Sequence, residues 1–320
     1  MEPAAESSSV YMACVPHVPF LVLQDRDLNR PFWDAYERQA ESLRAFNPDV
    51  VFVFGADHYS AQHLRLMPPF AIGTRAEALG DDGGFPGPLD VPMQTALGCT
   101  QYLIDHEFDV ATSYAMEVDH GFSNVIHHFL GANDAWPVVP VFINALCNPR
   151  PTFRRCRKFG DAIGSFAATL GQRVAFLGSG GLSHDTAEIL PQFDTAPSEA
   201  IRDYIVHGGA KGELTRDRWL DDLHGGLQVV NQMLLDRVPG VGSINESWDR
   251  RFLDTFVGDL RVFDSWTDEE VTREAGNSAG EVRQWIAAAA AAKAAGAGDV
   301  VVDHCSHDLP MGVAAAVVHA

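Results

Sequence analysis

The chain has 320 residues, 46% apolar and 21% charged, with 28 Gly and 18 Pro spread along it, a globular composition long enough to bury a large core. A formal net charge of −20 and the lack of Lys/Arg clusters exclude a phosphate-binding surface, so no nucleic acid partner is expected. The same field opposes anionic ligands at long range, so a substrate carboxylate would need local basic groups to overcome it.

The five cysteines, Cys14, Cys99, Cys147, Cys156 and Cys305, are odd in number and widely spaced, with no CxxC pair, and are expected to be reduced thiols of a cytoplasmic protein. The start of the chain, Met1–Val10, is acidic and Ser-rich; it lacks the basic start and apolar stretch of a signal peptide, and residues 1–9 are expected to be flexible. The alanine run from Ala287 is short and broken by Lys293, so no membrane span is expected.

In chain order, Val10–Val15 has the apolar, β-rich character of a strand. Pro31–Phe46 has helical apolar spacing with Pro31 in its first turn, and Val50–Phe54 is a second strand. Gly80–Pro92, rich in Gly, Asp and Pro, is a loop that either folds over a site or serves as a solvated connection. Val91–Ile104 follows as a helix, Val138–Ile143 as a strand, Arg154–Leu170 as a helix and Val174–Leu177 as a strand. A mostly helical section runs from Ser198 to Ala295, with turns at Gly208–Gly212 and Pro239–Gly242 and a helix at Leu220–Leu235; Val300–Val302 is a last strand. Such alternation predicts one α/β domain over residues 1–320, a three-layer sandwich with a central mostly parallel or mixed sheet and helices on both faces. No repeat or linker interrupts it.

Four histidines follow apolar runs within a few residues: His17, His58, His120 and His184. In open α/β sheets sites gather at the carboxyl ends of strands, so these side chains can converge; any one of them alone is more often a structural or surface residue, and it is the four together that point to a site. His58 lies in Gly55-Ala56-Asp57-His58-Tyr59, where neighbours could orient an imidazole that binds a metal. His184 ends the turn Gly178-Ser179-Gly180-Gly181-Leu182-Ser183, which lacks the spacing and the lysine of a phosphate loop. His127 and His128 are adjacent on a helix, so at most one can face inward. His304-Cys305-Ser306-His307 offers soft ligands close together but no second half of a zinc site.

Pro16-His17-Val18-Pro19, Asp57-His58-Tyr59, Val118-Asp119-His120-Gly121-Phe122, Pro140-Val141-Phe142-Ile143-Asn144 and Gly180-Gly181-Leu182-Ser183-His184 occur in the order found in class III extradiol ring-cleavage dioxygenases. The set most closely resembles the 2,3-dihydroxyphenylpropionate 1,2-dioxygenases, over about Tyr11 to Ala295, with a departure in the tail beyond Ala295 and another at Asp185-Thr186. The resemblance implies Fe(II) bound by His17, His58 and Glu281, the last in Glu281-Val282-Arg283-Gln284-Trp285; on residues alone Glu281 would pass for a solvent-facing carboxylate at a helix start. Two imidazoles and one carboxylate leave three coordination positions, two for a catechol and one for O2. His120 is then implied as the base that deprotonates the catechol and His184 as the acid at the oxygen intermediate, the reverse assignment standing as the alternative. Asp119 is implied to orient a neighbour or to hold charge, with turn capping as the structural alternative. The implied substrate is a 3-substituted catechol such as 2,3-dihydroxyphenylpropionate or 2,3-dihydroxycinnamate, and the implied assembly a homo-oligomer. A zinc-dependent hydrolase or a non-enzymatic binding protein on a similar scaffold would share the ligand set. Neither needs both His120 and His184.

Overall fold

The computed structural model describes residues 9–242, 244–307 and 310–320; the expectation for the N-terminus therefore falls, for residues 1–8, outside the described residues. In chain order the strands are β1 (Val10–Val15), β2 (Val50–Gly55), β3 (Phe70–Gly73), β4 (Ala76–Ala78), β5 (Gly87–Pro88), β6 (Ala111–Ser113), β7 (Met116–Val118), β8 (Val138–Ile143), β9 (Val174–Ser179), β10 (Val301–Ser306) and β11 (Ala315–His319).

Parallel strands covered on both faces need continuous apolar runs, and β1, β2, β8 and β9 supply them, each buried along its whole length. They form the centre of an eight-stranded sheet in the order β10-β11-β1-β9-β2-β8-β3-β6. The neighbours β1/β9, β9/β2, β2/β8 and β3/β6 are parallel, whereas β11 runs antiparallel to β1 and β3 antiparallel to β8. Paired residues of β3 and β8 stop at Ile72 and Val141, next to Pro140, which has no N–H to continue the ladder. β4, β5 and β7 make a separate three-stranded sheet.

Side chains alternate across the central strands into two apolar layers. Met12, Phe52, Val141 and Phe176 pack against helices Phe153–Ala168 and Val282–Ala295. On the other face, Ala13, Val53, Phe142 and Leu177 pack beneath helices Arg30–Phe46, His120–Leu130, Glu199–His207 and Arg216–Leu235. The expected three-layer α/β sandwich is thus the one found. No helix among the described residues is long and apolar enough to cross a membrane.

The alanine-rich stretch is a fully covered core helix. Ala287 to Ala292 are buried, and the helix lies so close to Phe153–Ala168 that a Cβ on Gly160 or Gly164 would strike the carbonyl oxygens of Ala287 and Ala291. Several expectations shift. The last expected strand, Val300–Val302, is instead Val301–Ser306, and β11 follows it unforeseen because Ala315–Ala316 reads no more as strand than as helix. β3 to β7 have two to four residues each, too few to show a period.

The close approach predicts opposite outcomes for two glycine substitutions. Gly160→Ala should cost about 1–3 kcal/mol, as overpacking does, and lower the urea midpoint. Gly225→Ala, on an exposed helical turn where an added Cβ meets nothing within 4 Å, should stabilise by about 0.4–1 kcal/mol. Equal effects of the two would contradict the packing.

Candidate metal centre and active site

β1, β9 and β2 are adjacent and parallel, so their carboxyl ends open on one edge of the sheet. His17 lies just beyond β1, His58 just beyond β2, and the turn from Gly180 to His184 just beyond β9. The chain reverses sharply at Tyr59, whose φ of 60° is uncommon for an aromatic residue; its ring is buried and its hydroxyl donates to Pro191 O at 3.1 Å. Glu281 arrives from the opposite side, at the end of the 3-10 turn Ser278–Glu281 that leads into helix Val282–Ala295. Gly180 sits where a Cβ would meet the Glu281 carbonyl oxygen at 2.6 Å, so only glycine lets the two segments touch.

The hydrogen bonds fix which nitrogen each imidazole offers. Ser179 Oγ donates to the Gly121 carbonyl, so toward His17 Nδ1, 3.0 Å away, it can only accept. His17 therefore carries its proton on Nδ1. His58 Nδ1 donates to Asp119 Oδ2 at 2.8 Å. Both Nε2 lone pairs are left facing the same point, 3.3 Å apart, with Glu281 Oε1 3.2 Å from His58 Nε2 and Oε2 3.6 Å from His17 Nε2. Four acceptor atoms meet with no donor among them unless a proton or a metal ion supplies the missing positive charge. All three side chains are buried. Burial pushes the His17 imidazole below the ordinary histidine range, with Glu281 opposing it. For His58 burial acts the same way, but Asp119 and Glu281 outweigh it and hold the imidazole well above that range. Burial would raise Glu281 and Asp119; the imidazoles around them hold both below the ordinary carboxylate range. The donor set and its charge balance fit one divalent metal ion.

Two further histidines flank this point. His120 is the first residue of helix His120–Leu130, stacked on His58 with ring centroids 4.4 Å apart. Its Nδ1 donates to Asp81 Oδ2 at 2.7 Å, and the same carboxylate accepts from its backbone N–H at 2.8 Å. Burial lowers His120, and Asp81 reverses the shift and raises it. His17, His58 and His120 together offer nitrogens within 4.8 Å of one another, so His120 borders the same ion position. His184 Nδ1 donates to Leu182 O at 2.8 Å, which turns Nε2 toward Glu281 Oε2, 3.9 Å away. The turn that carries it is pinned by Asp249, which accepts from Ser183 N and Ser183 Oγ. Asp119 has both of the positions considered for it: it caps helix His120–Leu130 through Gly121 N and it orients His58.

All four histidines and Glu281 line one cavity, part of it open to solvent. Other candidates lie elsewhere. The His127 ring stacks on Phe85, and His128 packs against Trp33, so neither reaches the cavity. At the end of β10, Cys305 Sγ is 3.9 Å from Nε2 of His307, the residue that follows the strand, and His307 leans on Asp249; His304 contacts Phe32 instead. Two residues that complete the site, Ser179 and Asp81, are not legible as such in the sequence, although Asp81-Asp82 within a glycine-rich loop is a visible signal.

Fold and donor set together describe an α/β protein able to hold one divalent metal ion where three parallel strands end, beside a cavity that opens to solvent. The chain belongs to the LigB family: the model of the "catalytic LigB subunit of aromatic ring-opening dioxygenase" matches residues 11–318. It is an extradiol dioxygenase of that family. The match extends past Ala295, so the expected departure of the tail is corrected; Met311, Gly312 and Val313 in that tail line the cavity. Among similar proteins are the 2,3-dihydroxyphenylpropionate/2,3-dihydroxicinnamic acid 1,2-dioxygenases of Mycolicibacterium gilvum, 40% identical over 90% of both chains, and Mycolicibacterium smegmatis, 39% identical over 89% of this chain and 90% of that one. A solved structure of an uncharacterized Escherichia coli K12 protein, 12% identical, shares the fold with a TM-score of 0.53 over 97% of this chain and 98% of that one.

The tautomer argument predicts that Ser179→Ala, which removes the acceptor for His17 Nδ1 together with the hydroxyl that donates to the Gly121 carbonyl, weakens metal uptake by about 10- to 100-fold. Competition against a fluorescent chelator measures it; unchanged affinity would contradict the argument.

Proposed function

We propose that the chain is an Fe(II)-dependent enzyme whose metal is held by His17, His58 and Glu281 and whose substrate is a 3-substituted catechol. The observation that supports this most is the meeting of four acceptor atoms from those three residues at 3.2 to 3.6 Å with no donor among them. Two neutral imidazoles and one carboxylate on one side of an ion are the ligands of non-haem Fe(II) oxygenases. When bound, ferrous iron supplies positions for both catechol oxygens and O2 and lets electron density pass from one to the other.

The residues around it handle protons. His120, with Asp81 behind Nδ1, presents Nε2 as the base that takes a catechol hydroxyl proton, and Asp81 stabilises the resulting imidazolium. His184, its Nδ1 proton committed to Leu182 O, has Nε2 available to hold a proton on the face where oxygen reacts and to give it up as the O–O bond breaks. Asp119 keeps His58 in the tautomer that binds metal. The names of the relatives make 2,3-dihydroxyphenylpropionate and 2,3-dihydroxycinnamate the first catechols to assay, with a dienedioate as ring-fission product. The resemblance also supports a cytoplasmic homo-oligomer with one catalytic domain spanning the chain.

Air oxidation should abolish activity, and Fe(II) with ascorbate should restore it; stoichiometric zinc without O2 uptake would contradict the proposal. His184→Gln should lower kcat by about 10²- to 10⁴-fold while iron content stays constant. A variant with unchanged kcat would remove His184 from the chemistry.

A further inference from the structure

Resting on that reading of the site, the composition of the cavity wall constrains the substrate further. Among the described residues no lysine or arginine lines the cavity. The undescribed residues, 1–8, Ser243, Asp308 and Leu309, include none either. Among the described residues the ionisable groups in the lining are His17, His58, His120, His184 and Glu281, all at the metal end, and Asp185, which is exposed. Away from the metal the wall is built from Phe20, Ile189, Leu223, Leu227, Leu234 and Met311, contributed by the short helix after β1, the segment after His184, helix Arg216–Leu235 and the loop before β11.

A catechol whose two oxygens face the metal must direct its 3-substituent somewhere along this wall. A carboxylate there would leave water without a cation to replace it, which is among the costliest groups to bury unpaired. The histidines offer little compensation. His120 is already paired with Asp81, His58 with Asp119, and His184 has Glu281 beside Nε2. The exposed Asp185 and the net charge of −20 act in the same direction, against an anion. An alkyl or aryl substituent, by contrast, meets branched aliphatic side chains and gains from leaving water.

We propose that this enzyme selects catechols carrying an uncharged, apolar 3-substituent, and that it discriminates against the carboxylate-bearing catechols in the names of its relatives. Three matched compounds separate charge from size: 3-propylcatechol, 2,3-dihydroxyphenylpropionate and the methyl ester of the latter. With the Fe(II)-loaded enzyme, kcat/KM from O2 uptake should be higher for 3-propylcatechol and for the ester than for the free acid by about tenfold or more, a modest share of the penalty for an unpaired buried charge. Calorimetric binding to the same protein under argon should give the same order, and this readout does not depend on turnover. A free acid bound and cleaved as well as or better than its ester would overturn the inference while leaving ring cleavage intact. Failure of all three to bind or react would instead sink the iron–catechol reading, and this inference with it.

Discussion

Everything at this site depends on where two imidazole protons sit. Ser179 and Asp119 hold those protons on the Nδ1 atoms of His17 and His58, and so leave two lone pairs and a carboxylate aimed at one another across 3.2 to 3.6 Å. That arrangement is electrostatically unfavourable by itself and favourable around a cation. His58 carries the same tension: burial disfavours its charged form, and the carboxylates of Asp119 and Glu281 outweigh it and hold the imidazole above the ordinary histidine range. A metal ion would answer the same demand, and the buried surroundings would magnify its effect.

The fold meets this requirement with few parts. Three neighbouring parallel strands end together, which places His17, Ser179 and His58 on one edge without long loops. Glu281 reaches them only because the helix after it can lie deep in the core. Its alanines and the facing Gly160 and Gly164 bring two helix backbones close together, and the 3-10 turn before Val282 then meets Gly180 at contact distance. Packing far from the cavity therefore sets the position of a carboxylate within it. The cavity wall has a different origin, drawn from helix Arg216–Leu235 and from the loop that enters β11, so substrate preference can vary while the donor set stays fixed.

Legibility in the sequence followed the same division. The central strands were visible because burial on both faces forces unbroken apolar runs, and His17 and His58 were visible because they follow those runs directly. Glu281 had no local signal; in isolation it resembles any acidic residue at a helix start, and only the family resemblance singled it out. Ser179 and Asp81 act through hydrogen bonds to residues 162 and 39 positions away, and no periodicity records such pairings. β11 and the cavity-lining segment from Met311 to Val313 went unseen because alanines and glycine there favour no single backbone state. The even apolar character of the cavity wall is a property of four separate segments brought together, and none of them shows it alone.

A crystal structure of the protein loaded anaerobically with Fe(II) tests the central claim most directly. The account predicts one metal ion bonded to Nε2 of His17, Nε2 of His58 and a Glu281 carboxylate oxygen, with Ser179 and Asp119 still on the two Nδ1 atoms. An ion held instead by His120 and Asp81, or Glu281 turned away from it, would contradict the account.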